Sequence, residues 1–369
     1  MAARRKGGKR RDGKPDLVES SIPPAAPLSR SSGAGVATSL PKSQVVAVTG
    51  AAGFLGLNLI GLLEEDDRVR RIVSLDLEPP RTAGQKTRVY EVDLTQPATE
   101  ERVAEIFAAE GVDALVHLAF LASPSHSTAW AHELESVGTM HLLNACRRTQ
   151  VRKLVMWSQT VLYGAHPTNP NFLSEKHSLR ARRAEPFFAD KIEAEADALR
   201  FGRPGKGRVV TILRTATLLG PTVRNYLTRY LSHRIVPTVL GFDPLWQFVH
   251  EADAVAAFKL AVDRDTPGIF NIVGEGVLPL STVIRLAGRM GLPVPRPIMN
   301  TVTGALWLAQ LSEAPPSFLD YLQYVCVADG DLAQRQMGFS PVYTTREALI
   351  EYASAQHLRE VKLLSETPA

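Results

Sequence analysis

One twelve-residue stretch constrains this chain more than any other: Val45–Gly56, VVAVTGAAGFLG. Val45, Val46, Ala47 and Val48 form a short apolar run, as a strand covered on both faces carries. Gly50, Gly53 and Gly56 follow at intervals of three, and Leu57–Leu63 then reads as an apolar helix. Gly50 permits a tight turn out of the strand. Gly53 lets backbone N–H groups approach a pyrophosphate, and Gly56 lets the helix pack closely on the sheet. The helix N-terminus adds unpaired donors and partial positive charge. A second strand, Arg71–Asp76, ends in a carboxylate 26 positions after Gly50, where a dinucleotide's ribose hydroxyls would lie. That carboxylate favours NAD over NADP, because it repels a 2′-phosphate and accepts from a free 2′-hydroxyl. Arg81, beyond Pro79-Pro80, is the feature that would speak for NADP.

A length of 369 residues allows one large or two modest domains with ample core. The net charge of +4 is unevenly spread. Residues 1–14 carry seven Arg and Lys against Asp12, a balance of +6, so residues 15–369 stand at −2. Basicity therefore belongs to a tail, and the rest of the chain has no compositional case for nucleic acid. Residues 1–42 lack a hydrophobic period and read as a disordered basic tail. No apolar segment follows the basic cluster, which argues against a secretory signal. Such a tail is either a solvated extension or a contact for RNA or an anionic membrane surface. No run of about 18 apolar residues exists to span a membrane. Cys146 and Cys326 are too few for a disulfide framework and read as buried thiols, which suits a reducing, cytoplasmic setting.

Strand and helix patterns alternate from 44 to about 215. Strands are expected at 87–92, 113–120, 153–158 and 208–214, with helices over 99–110, about 130–149 and 184–200. This alternation implies an α/β fold, a Rossmann-type doubly wound parallel sheet, with an NAD-binding domain over 43–220. Beyond 221 the alternation loosens into helix and loop over 222–242, an extended piece at 246–250 and a helix over 251–262. A strand at 268–273 would return to the sheet. The expected organisation is a smaller C-terminal substrate lobe over 221–355, then a loose tail from 356, frayed over 359–369.

On these residues the chain resembles the extended short-chain dehydrogenases/reductases of the nucleotide-sugar epimerase/dehydratase type, and among them UDP-glucose 4-epimerases. Thr49–Gly56 matches that family's TGxxGxxG, Val116-His-Leu-Ala119 its fourth-strand motif and Val161-Leu-Tyr-Gly164 its VYG. Phe248–Asp253 and Gly268–Gly274 resemble its FVHxxD and GxYNxxG segments. The resemblance covers about 44–353. It implies dinucleotide contacts at Gly50, Ala52, Gly53, Phe54, Leu55, Gly56, Asp76, Asp93, Leu94, Leu118, Ala119, Phe120, Ser158 and Lys191. It also implies a sugar-nucleotide substrate and a homodimer formed through the helices at 130–149 and 184–200.

The family's chemistry needs a Tyr four residues before a Lys, on one helix face, with a Ser or Thr nearby. Here Lys191 is retained, but the tyrosine position is Phe187 and the Ser/Thr position is Gln159. The helix asparagine aligns with Glu135, and the arginine that grips a diphosphate aligns with Trp246, four before His250. Losing the acid/base costs about 10²–10⁴-fold unless another group substitutes. Ser158, Tyr163, His117, Glu175 and His177 are the candidate substitutes, and each also has a structural reading. Arg224, Arg229 and Arg234 could replace the diphosphate clamp, but steps of five do not share a helix face. Two classes stay open: a protein that binds NAD(H) without turnover, and an epimerase or reductase with a non-standard acid/base. No metal site is expected.

Overall fold

The computed structural model describes residues 44–366 apart from 150, 204–206 and 313, with side chains described as far as 359. The tail expected at 1–42 lies outside these residues. The alternating half unfolds in order as β1 (Gln44–Thr49), α1 (Phe54–Glu64), β2 (Val69–Asp76), β3 (Thr87–Glu91) and α2 (Thr99–Glu110). Then follow β4 (Ala114–His117), α3 (Thr128–His132), α4 (Gly138–Arg148), β5 (Lys153–Gln159), α5 (Pro186–Phe201) and β6 (Val209–Thr215). The strand Gly268–Ile272 returns to pair with β6. Across the sheet the order is Gly268–Ile272, β6, β5, β4, β1, β2, β3, and every pair is parallel. This is the Rossmann-type doubly wound α/β fold.

Covering both faces makes the inner strands apolar runs rather than alternating ones. All six residues of β1 and all seven of β5 are buried. Helix α1 meets the sheet through Leu55, Leu59, Ile60 and Leu63, the three-and-four spacing of one helical face. Strand order reverses at β1, whose neighbours are β2 and β4. The loops leaving β1 and β4 therefore diverge, which opens a crevice at their carboxyl ends.

The helix expected over 130–149 runs from Thr128 to Arg148 but is not α-helical throughout. A π-helical turn, Glu133–Val137, separates α3 from α4. Thr139 Oγ1 donates to the Glu135 carbonyl at 2.5 Å, and Gly138 leaves room for the Leu94 side chain, which would stand 3.1 Å from an added Cβ. Single π turns of this kind recur at functional sites. Here the turn carries Glu135, which is wholly buried.

After β6 the chain builds small strand pairs. Thr217–Leu219 pairs with Phe248–His250, Leu245–Trp246 with Leu278–Pro279, and Ile235–Val239 with Met290–Val294. The segment expected as helix and loop over 222–242 thus contains a strand, which forms because Met290–Val294 supplies its partner. The loose tail expected from 356 is also corrected, since the helix Thr345–Glu366 runs through it. That helix is anchored by buried Leu349 and by Tyr352, whose hydroxyl donates to the Thr228 carbonyl at 2.8 Å. Cys146 is buried as expected, and Cys326 is only half-buried.

Candidate active site and cofactor cleft

Gly50 leaves β1 in the left-handed region, φ +64°, and a Cβ there would stand 2.7 Å from the Leu118 carbonyl carbon. Both facts demand glycine. A Cβ on Gly56 would overlap the Gly50 carbonyl, so α1 approaches the turn only because that position is bare. Gly53 begins α1 with no side-chain cap. The first-turn N–H groups therefore face the crevice without an intrahelical partner. Asp76, at the end of β2, is held beside the same turn. Its Oδ2 accepts from Ala52 N at 2.9 Å and its Oδ1 from Leu77 N at 2.7 Å.

A solvent-open cleft of ≈ 180 Å³ lies between the glycine turn, the ends of β4 and β5, and the chain leaving β6. Of the residues singled out in the sequence, Gly50, Gly53, Phe54, Leu55, Gly56, Leu118, Phe120, Gln159 and Arg224 line it. Gln159 is buried, and its Oε1 has no hydrogen-bond partner. Sequence reasoning missed Trp157, the stretch Thr215–Leu218, and Val223, Asn225 and Tyr226. The only available signal was position, since Thr215–Leu218 extends from the carboxyl end of β6.

Other expected residues stand apart from this cleft. Asp93 closes the loop after β3, and its bonds from Thr95 Oγ1, Thr95 N and Gln96 Nε2 hold its carboxyl below the usual range. Leu94 packs at Gly138, and Ala119 at Gly50. Arg81 and Arg234 are exposed, and so is Arg229.

The residues that the resemblance places at the catalytic corner form a closed pair. Lys191 Nζ donates to both oxygens of Glu135, at 2.6 and 2.8 Å, and both side chains are buried. Glu135 Oε1 also accepts from Leu121 N at 2.5 Å. The ammonium sits 3.8 Å from the centre of the Phe187 ring, a cation–π contact. Phe187 packs edge-on to Phe188 and against Phe318. Burial pushes Lys191 down and Glu135 up, and their mutual attraction opposes both shifts. Neither Lys191, Phe187 nor Glu135 lines the cleft.

The candidate substitutes are held by structural partners. Tyr163 is fully buried; it donates to Asn271 Oδ1 at 2.8 Å and accepts from Arg214 Nη1 at 2.8 Å. Arg214 pairs with Glu195, which accepts from Ser158 Oγ at 2.7 Å. Glu175 accepts from Asn271 N at 2.8 Å, and His177 bonds within its own loop at Ser174. His117 lies between Thr49 Oγ1 and Thr139 Oγ1 at 2.7 and 2.8 Å, with burial lowering its pKa to about 3. It is a satisfied, neutral core histidine. Among the described cleft residues only Arg224 carries a charge, and only Tyr226 a phenol, paired with Thr217 Oγ1 at 2.8 Å.

Comparison with known proteins agrees with this geometry. The model of the NAD dependent epimerase/dehydratase family matches residues 46–273. An uncharacterized protein of Mycobacterium tuberculosis is 32% identical over 326 residues, 86% of this chain and 85% of its own length. A 3-diazoavenalumate denitrifying reductase of a Streptomyces species is 28% identical over 262 residues, 68% of this chain and 83% of its own. Among solved structures, the UDP-glucose 4-epimerase of Thermotoga maritima superposes with a TM-score of 0.67 at 19% identity, covering 86% of this chain and 100% of that one. MoeE5, solved with UDP-glucuronic acid and NAD, gives 0.65 at 24% identity, covering 85% and 99%. The family model covers more than half of the sequence, and the solved structures share the fold: the chain belongs to the NAD dependent epimerase/dehydratase family.

Proposed function

We propose that this protein binds NAD(H) in the glycine-turn cleft and does not run the family's tyrosine–lysine acid/base chemistry. The observation that carries this reading is the Lys191–Glu135 pair, buried over the Phe187 ring and shut off from the cleft. The residues fit the cofactor. The bare Gly50 and Gly53 and the uncapped start of α1 suit a pyrophosphate, and Asp76 suits the adenosine ribose. The unpartnered Oε1 of Gln159 is an acceptor for a carboxamide N–H. When bound, NAD would supply a hydride acceptor. The chain's own contribution is to hold it, with no acidic proton at position 187 and with the lysine committed elsewhere. Calorimetry tests this: NAD should bind more tightly than NADP, and Asp76→Ala should narrow the gap. Equal affinities in the parent would remove the reading.

A second reading is favoured by Tyr226. Its hydroxyl, hydrogen-bonded to Thr217, is the one phenol on the described cleft wall. Burial raises its pKa to about 12, so it stays protonated at neutral pH. It could donate a hydrogen bond to a substrate oxygen in an NAD-dependent reductase or epimerase. Turnover abolished by Tyr226→Phe with unchanged NAD affinity would favour it.

A further inference from the structure

A second cavity adjoins the first, and they share Val161, Thr217 and Tyr226 as a common wall. It too is open to solvent, and its walls include Tyr226, Trp246, Phe248, Tyr321 and Tyr324. No charged side chain lines it among the described residues. Several of its polar groups are already engaged. Trp246 Nε1 donates to the Tyr321 carbonyl at 3.0 Å, and Tyr321 Oη to the Val161 carbonyl at 2.7 Å. Gln247 spends its amide on both backbone groups of Ala328. Arg224 lies on the glycine-turn cavity and not on this one.

From this lining we infer that the second ligand of the site is a flat, uncharged molecule presenting a single aromatic ring to this cavity. A nucleotide sugar would bring a diphosphate to a wall with no cation, and burying an unpaired anion is strongly unfavourable. A ring instead meets aromatic faces and edges, which favour offset and perpendicular contacts. The walls already show such geometry, with Trp246 perpendicular to Phe248 at 6.2 Å and 89°. Trp246 is the key element: it fills the position at which the family's resemblance places a diphosphate-binding arginine.

The inference rests on the cofactor reading above, so the experiment reads both. The full chain is titrated with NAD, then, saturated with it, with acetophenone and separately with UDP-glucose, by calorimetry and saturation-transfer NMR. Acetophenone should bind the NAD-loaded protein more tightly than UDP-glucose. Trp246→Arg should weaken acetophenone at least about tenfold, whereas Trp246→Phe should largely retain it. Tyr324→Ala, on a half-buried wall residue, gives a second loss variant should the arginine disturb folding. Tighter binding of UDP-glucose by the parent overturns the inference, as does acetophenone binding indifferent to Trp246→Arg and Tyr324→Ala. Failure of NAD to bind instead overturns the cofactor reading. Ring binding absent while NAD binds overturns this inference alone.

Discussion

At position 135 a carboxylate stands where the family resemblance places an asparagine, and it pairs with Lys191. A neutral amide would leave the ammonium's charge available to a neighbouring hydroxyl. Glu135 neutralises it with two hydrogen bonds, and Phe187 offers no hydroxyl to activate. Restoring chemistry therefore needs more than a tyrosine. Phe187→Tyr with Gln159→Ser should stay nearly inactive, because Lys191 remains captured. Adding Glu135→Asn should bring measurable NADH formation with a hydride-donating alcohol, followed by absorbance. Equal activity of the double and triple variants would show that Glu135 does not hold the lysine back. The pair also has a stability signature. Glu135→Ala leaves a buried ammonium unpaired and should cost about 3–5 kcal/mol in urea unfolding. Glu135→Leu combined with Lys191→Met, which removes both charges, should cost distinctly less.

Between elements, Glu110 at the end of α2 ties the outer strands together. It accepts from Arg71 Nη1 on β2 at 2.6 Å, and from Arg88 Nη1 and Tyr90 Oη on β3 at 2.7 and 2.5 Å. Burial alone would raise its pKa, but these donors outweigh burial and hold it at about 2, against 4.5 for a free glutamate. A carboxyl lowered by folding stabilises above its unfolded pKa and loses that contribution as pH falls through the folded value. Glu110→Gln should thus lower the urea midpoint at neutral pH. The deficit should shrink as pH falls from about 4.5 to about 2, because the parent's carboxyl then protonates too. A deficit independent of pH would assign the effect to packing. The π turn at Glu133–Val137 belongs to the same scale: nothing in a regular apolar spacing marks it, yet it sets where Glu135 lies.

Across the whole molecule, the last helix locks the C-terminal segments together. Ala348, Leu349 and Tyr352 are buried, with Leu349 and Tyr352 packed among Leu219, Leu227, Leu231 and Phe248. His357, Leu358 and Arg359 are exposed. Ending the chain after Gln356 should therefore shift the melting temperature little. Ending it before Thr345 should remove several degrees or prevent folding, because a buried Leu or Tyr contributes about 1.5–3 kcal/mol. Equal melting temperatures for the two truncations would mean that the helix is not part of the core.

The parallel sheet, its glycine turn and the carboxylate closing β2 were legible in the sequence. They depend on local rules: apolar runs of strand length, glycine where a Cβ collides, helices between strands. That Phe187 and Gln159 carry no hydroxyl was equally legible, since residue identity needs no structure to be seen. Partnership was not. Whether Tyr163 or Ser158 faces the cleft or the Glu195–Arg214 network depends on residues tens of positions away. The strand at 235–239 needed the partner at 290–294, and the helix through Glu366 needed a core to bury Leu349. Only the tertiary structure brought Trp246, Tyr321 and Tyr324 to one uncharged cavity beside the cleft. Local sequence determines which backbone turns are sterically allowed, but which polar and aromatic groups find each other is decided by long-range packing.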